Sequence, residues 1–147
     1  MTDGAGEPGE IESGDMPGFT HKNLREDVDD AAAGRDEAAG IEARFARSQL
    51  DSEQLGVSYF RYAPGFRAPF GHHHREQEEA YVVVEGAGRM KIDDDIVELR
   101  QWDVVRVAPE VVRAFEGGPD GLTIIAVGGT RPEGGDGELV PGWWDAD

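Results

Sequence analysis

The sequence predicts an all-β domain, an antiparallel sandwich or barrel, on three observations. From Leu55 onward the runs "LGVSYFRYAPG", "EAYVVVEG", "GRMKID", "DIVELR", "DVVRVAP", "VVRAFEGG" and "LTIIAVGG" are short, rich in β-branched and aromatic residues, and punctuated by Gly, Pro and Asp. That is the texture of strands joined by tight turns. Within the runs apolar and polar residues alternate with period two, as in strands that bury one face. Finally, 147 residues without a single cysteine are enough to enclose one core without cross-links.

Residues 1–17, "MTDGAGEPGEIESGDMP", carry five acids and no base. Such a segment cannot bury enough to offset its ordering entropy, so an acidic disordered tail is expected, with Met16 an alternative start. Residues 18–54 form an N-terminal arm of short helical turns packed along the outside of the domain. In it Leu24 and Val28 lie one helical turn apart, Ile41, Phe45 and Ala46 make a second small apolar face, and His21 is solvated. The barrel or sandwich spans 55–128, with hairpin turns at "IDDDI" and "GGPDG". Residues 129–147 form a polar C-terminal tail whose adjacent Trp143 and Trp144 are expected to dock on the outer wall or on a second subunit.

The chain has 31 acidic against 14 basic residues, a formal net charge of -17. Nucleic acid and anionic membrane are repelled in bulk, so neither is an expected partner. No apolar run approaches the roughly 18 residues of a membrane span, and no signal-peptide pattern opens the chain, so a soluble, cytoplasmic protein is expected. Lys22 and Lys91 are the only lysines. A surface so acidic and poor in lysine fits a salt-adapted cytoplasm, and equally a GC-rich genome.

Function concentrates in "GHHHREQEEAYVVVEGAG", residues 71–88, which holds three of the four histidines. His72 and His74 are two residues apart, so on a strand both point to one face while His73 points to the other. Glu79 follows at a distance that lets the chain turn and return a carboxylate to the same point. Two histidines and a carboxylate bind Fe(II), Mn(II), Zn(II) or Ni(II) and leave positions open. The alternative is a polar strand end that is merely histidine-rich.

The spacing of His72, His74, Glu79 and Gly86, with Pro69, Gly71 and the phrase "EEAYVVVEGAG", resembles the first motif of the cupin superfamily. The resemblance covers about Leu55 to Gly128. It implies a double-stranded β-helix, or jelly-roll barrel, usually paired into dimers, with His72, His74 and Glu79 as metal ligands. Strand parity then places Tyr81 and Val83 inside and Val82 and Val84 outside. The second motif departs from the family pattern: its slots hold Trp102, Ala108, Glu110, Arg113 and Gly117. Where the family has its fourth ligand, a histidine, this chain has the fixed charge of Arg113, so a metal is expected to bind more weakly than at a four-ligand site, or not at all.

In the family's register Arg113 and Phe115 face the cavity, beside Tyr81, while Val112 and Ala114 face out. A buried guanidinium must meet an anion. Either it pairs with an internal carboxylate such as Glu79, which would silence the metal, or it grips the carboxylate or enolate of a small organic acid. Three functions follow: a metal-dependent enzyme acting on a small molecule, a metal-independent module that binds or senses one, and a silent structural barrel. Catalytic residues, substrate and reaction are left unassigned, because one fold hosts many chemistries.

Overall fold

The computed structural model describes residues 18–146. Its strands are β1 (Ile41–Phe45), β2 (Gly56–Tyr62), β3 (Phe70–His74), β4 (Glu79–Ile92), β5 (Asp95–Leu99), β6 (Val104–Val107), β7 (Arg113–Gly128) and β8 (Gly137–Pro141). All pair antiparallel in one sheet, in the order β1-β2-β7-β3-β8, with β4 joining β7 to β5 and β6. The sheet curls round a core of Tyr62, Tyr81, Val83, Met90, Leu99, Phe115, Leu122 and Ile124. This is the all-β jelly-roll barrel the sequence predicts.

Parity explains the core. Along β4, Tyr81 and Val83 are buried while Val82 and Val84 are half-exposed, and Met90 is sealed completely. The turn expected at "IDDDI" is a two-residue connection, Asp93–Asp94, between β4 and β5. Asp93 takes a left-handed φ of 50° there, which short polar side chains tolerate best after glycine.

The stretch "GGPDG", expected to be a second turn, is instead the bent middle of β7, which runs unbroken from Arg113 to Gly128. Glycine served close approach here rather than chain reversal. A Cβ on Gly117 would sit 2.4 Å from the Ala63 carbonyl oxygen, and one on Gly86, across the sheet, 2.2 Å from that of Gly121. Likewise "EAYVVVEG" and "GRMKID" fuse into β4, with register shifts at Val83/Glu85 and Gly86/Gly88 that let it bend round the core.

Two strands lie outside 55–128. In the arm, Ile41 to Phe45 form β1, paired with β2, rather than a helical face, and the helical content of the arm is a 3₁₀ turn at Asp36–Ala38. In the C-terminal segment, "GELVP" forms β8, paired with β3. Both are short and charged, and propensity reads such edge strands poorly because their ladder is set by a distant partner. The expected acidic tail of residues 1–17 lies outside the described residues.

Trp143 and Trp144 dock on the outer wall. The Trp144 ring lies 4.6 Å from the Arg67 guanidinium and 5.5 Å from that of Arg89. Trp143 sits over Lys91, whose ammonium donates to the Trp143 carbonyl at 2.8 Å. Their cover explains why Ala114, expected to face out, is nonetheless buried in contact with the cluster that includes Trp144.

Candidate metal centre

β3 supplies His72 and His74, and β4 begins at Glu79; the loop of residues 75–78 returns the chain so that the three ligand atoms lie within 4.8 Å of one another. His72 Nε2 is 3.4 Å and His74 Nε2 3.2 Å from Glu79 Oε1. Donors bound to one ion at about 2.0–2.2 Å sit roughly 3.0–3.5 Å apart, so these separations are those of neighbouring ligands. His73 points the other way, toward Glu138, and His21 is exposed in the arm.

His74 is the most constrained of the three. Its Nδ1 is 2.9 Å from Asp136 Oδ1, and Asp136 has no exposed side-chain surface. A carboxylate accepts and cannot donate, so Nδ1 carries the proton of neutral His74, and Nε2 is left as a bare lone pair. Among the described residues this buried Nε2 has no donor to accept from, and its near neighbour is the Glu79 Oε1 oxygen at 3.2 Å. A buried nitrogen with a lone pair, aimed at a carboxylate that repels it, has two ways to be satisfied: a proton or a cation. The donor set therefore fits a metal ion.

Burial alone would lower the pKa of both histidines, because it penalises the charged ring. It prevails at His72, which is lowered, but at His74 the flanking carboxylates of Glu79 and Asp136, which favour the protonated ring, outweigh it and raise the value. Burial would push Glu79 up, yet the adjacent His72 and His74 rings and the Tyr81 hydroxyl, all favouring the carboxylate, hold its carboxyl far below the usual carboxylate range. Asp136 is likewise lowered to about 2: burial opposes this, but the Glu76 N–H, His74 and the Gln77 N–H all donate to it. Tyr81 is pushed well above its ordinary value, first by burial and then by the charge of Glu79, so it remains a phenol and a donor.

The remaining expected residues stand behind the triad. Arg113 has no exposed surface. It donates from Nη2 to Glu79 Oε1 at 2.9 Å, from Nε to the Tyr81 hydroxyl at 3.0 Å, and from Nη1 to the carbonyls of Val111 at 2.7 Å and Pro109 at 3.2 Å. Tyr81 also donates to Glu79 Oε1. Arg113 thus meets an internal carboxylate, the first of the two alternatives, and not open space; a metal at the triad has to compete with Arg113 and Tyr81 for the same Glu79 oxygen. Phe115, expected on the cavity wall, is enclosed in the core, its ring centroid 5.0 Å from that of Tyr81 and 5.6 Å from that of Tyr62. The open approach is over His72, whose side chain keeps 33% of its surface exposed.

Sequence reasoning missed Asp136. Sixty-two residues separate it from His74, and it sits in a glycine- and acid-rich stretch with no strand or motif signal of its own.

No protein-family model matches the chain, and no curated protein does. Solved structures do. A cupin protein from Bacteroides fragilis is 21% identical, with a TM-score of 0.64 over 80% of this chain and 89% of that one. A cupin superfamily protein from Desulfitobacterium hafniense is 17% identical, with a TM-score of 0.52 over 63% and 79%. An oxalate decarboxylase variant from Bacillus subtilis is 20% identical, with a TM-score of 0.59 over 69% of this chain but only 28% of its own. At these identities the likeness establishes the fold.

Proposed function

We propose that this chain, whose fold is that of the cupin superfamily, holds one divalent transition ion between His72, His74 and Glu79 and presents it to a small organic acid arriving over His72. The orphaned Nε2 of His74 carries this reading, because the Asp136 contact that fixes the ring also prepares that nitrogen as a ligand. Three protein ligands leave positions for substrate, and the ion would act there as a Lewis acid. Zn, Ni, Mn and Fe all suit two imidazoles and a carboxylate.

The charges support an anionic ligand. Arg113 cancels Glu79 inside the site, so a divalent ion set against Asp136 leaves a local positive charge within a chain of net charge -17. Arg113 enters as the anchor of Glu79 rather than as a clamp on the acid. Since Tyr81, Phe115 and Met90 fill the barrel beneath the triad, the ligand would bind at the mouth.

Elemental analysis of protein purified without a histidine tag, followed by calorimetric titration with Zn(II), Ni(II) and Mn(II), tests the reading. Binding of one equivalent that disappears in His74→Ala supports it; no binding at high micromolar metal overturns it. The Arg113–Glu79 pair favours a second reading, a metal-independent binding module, in which organic acids raise the melting temperature of chelator-treated protein as much as that of the metal-loaded form.

A homodimer is part of the proposal. Trp102, Val104 and Val127 are exposed near the half-buried Val82 on one outer face of the sheet, an apolar area suited to a second copy. Self-association should strengthen with salt, as screening weakens the mutual repulsion of two acidic chains. Light scattering that shows a monomer at both low and molar salt would exclude it.

A further inference from the structure

We propose that Asp136 is a positioning residue of the metal centre, and that the C-terminal segment delivering it is an integral wall of that centre rather than a tail. The inference rests on the proposed metal site and adds the part of the chain that governs it. Asp136 does two things at once. Its Oδ1 meets His74 Nδ1 at 2.9 Å, while its Oδ2 accepts from the backbone N–H groups of Glu76 at 2.6 Å and Gln77 at 2.9 Å. Those two amides belong to the loop that joins His74 to Glu79. One carboxylate therefore orients one ligand and fixes the connection to another.

The segment bearing Asp136 is anchored by contacts other than the Asp136–His74 bond. Directly after Asp136, β8 pairs with the histidine strand, placing His74 against Gly137 and His72 against Leu139. Beyond it, Trp144 is 2% exposed between Arg67 and Arg89, and Trp143 closes on Lys91. Asp136 is thus held from one side by a strand ladder and two docked indoles. It can impose an orientation on His74 rather than follow it.

Asp136→Asn separates orientation from scaffolding. The amide oxygen of the variant can still accept from the Glu76 and Gln77 N–H groups, which leaves its NH₂ facing His74 Nδ1. Nδ1 must then accept, the ring proton moves to Nε2, and the nitrogen aimed at the metal point loses its lone pair. Metal affinity should fall roughly 10–100-fold, the usual consequence of losing such an outer partner, with the fold retained.

Two readouts are needed: calorimetric titration with Zn(II), and imidazole nitrogen shifts of the metal-free protein from long-range nitrogen–proton NMR spectra. The expected result is wild-type His74 protonated at Nδ1, the variant protonated at Nε2, and weaker Zn(II) binding by the variant. Purely structural support would weaken binding without moving the proton, and that outcome overturns the positioning role. Wild-type tautomer together with wild-type affinity in Asp136→Asn overturns the inference while leaving the metal site standing. Failure of the wild type to bind any metal overturns the metal site itself and this inference with it. Should Asp136→Asn not fold, His74 in wild-type protein answers the same question: a proton on Nε2 rather than Nδ1 in the neutral ring overturns the role.

Discussion

Two segments face each other across the candidate site and divide its work. The first, β3 and the start of β4, gives His72, His74 and Glu79 to one point. The second, the start of β7, comes alongside in register, His72 opposite Arg113, yet adds a cation instead of a ligand. The difference is instructive because the guanidinium is no misfit. It is buried, all its named contacts are internal, and it fastens the carboxylate that the first segment supplies. A position that in the resembled pattern would bind metal here holds the candidate ligand Glu79 still.

That division can be broken most directly by removing the shared carboxylate. Glu79→Ala leaves the Arg113 guanidinium buried without its anion, which should cost about 3–5 kcal/mol of stability and abolish metal binding. Urea unfolding measures the first effect, and a loss under about 1 kcal/mol would show that Arg113 does not depend on Glu79.

Arg113→His asks whether the second segment can be returned to ligand duty. It deletes the ion pair, the bond to the Tyr81 hydroxyl and the two bonds to Pro109 and Val111, so stability should drop by roughly 3 kcal/mol, while an imidazole opposite His72 should tighten Zn(II) binding. Unchanged or weaker affinity by titration would mean that β7 lies too far from the metal point to contribute a ligand.

Acid sharpens the comparison, because both carboxylates of the site are held ionised. The Asp136 carboxyl, lowered from 3.8 to about 2, gives stability that is fully present above pH 3.8 and lost as pH falls toward and through 2. The amount is about 2 kcal/mol. Glu79, also depressed, adds a loss of the same sign below its ordinary value of 4.5. Unfolding midpoints followed from pH 5 to pH 2 should fall steeply in the wild type and less so in Asp136→Asn; parallel slopes would contradict the assignment. His74 has the opposite sign. Its raised value makes protonation stabilising in metal-free protein below 6.5, and that contribution fades as pH rises through the raised value. Metal needs the deprotonated Nε2, so metal affinity should climb over that window as the apo protein loses this support.

The smallest effect is expected at His73, between the two candidate ligands in sequence but on the opposite face, with Glu138 at 3.5 Å. His73→Ala should change stability by no more than about 0.5 kcal/mol and leave metal affinity untouched. A fall in affinity equal to that of His74→Ala would overturn the strand parity on which the site is built.

Parity is also the measure of what the sequence determined alone. A strand's side chains alternate whatever the rest of the molecule does, so His72 with His74, Tyr81 with Val83, and the all-β class could be read from local spacing. The convergence of Glu79 on the two histidines was readable too, since a single short loop connects them. Only the tertiary structure decided what depends on partners far along the chain. Arg113 had two possible anions, and packing chose Glu79, 34 residues away. "GGPDG" had the composition of a turn, but the close approach of neighbouring backbones made it the bend of β7. β1 and β8 became strands because β2 and β3 offered them edges. Asp136 carries no local mark of its role, because a hydrogen bond across 62 residues is set by the register of β8 on β3. Periodicity is a property of a segment, whereas register is a property of a pair.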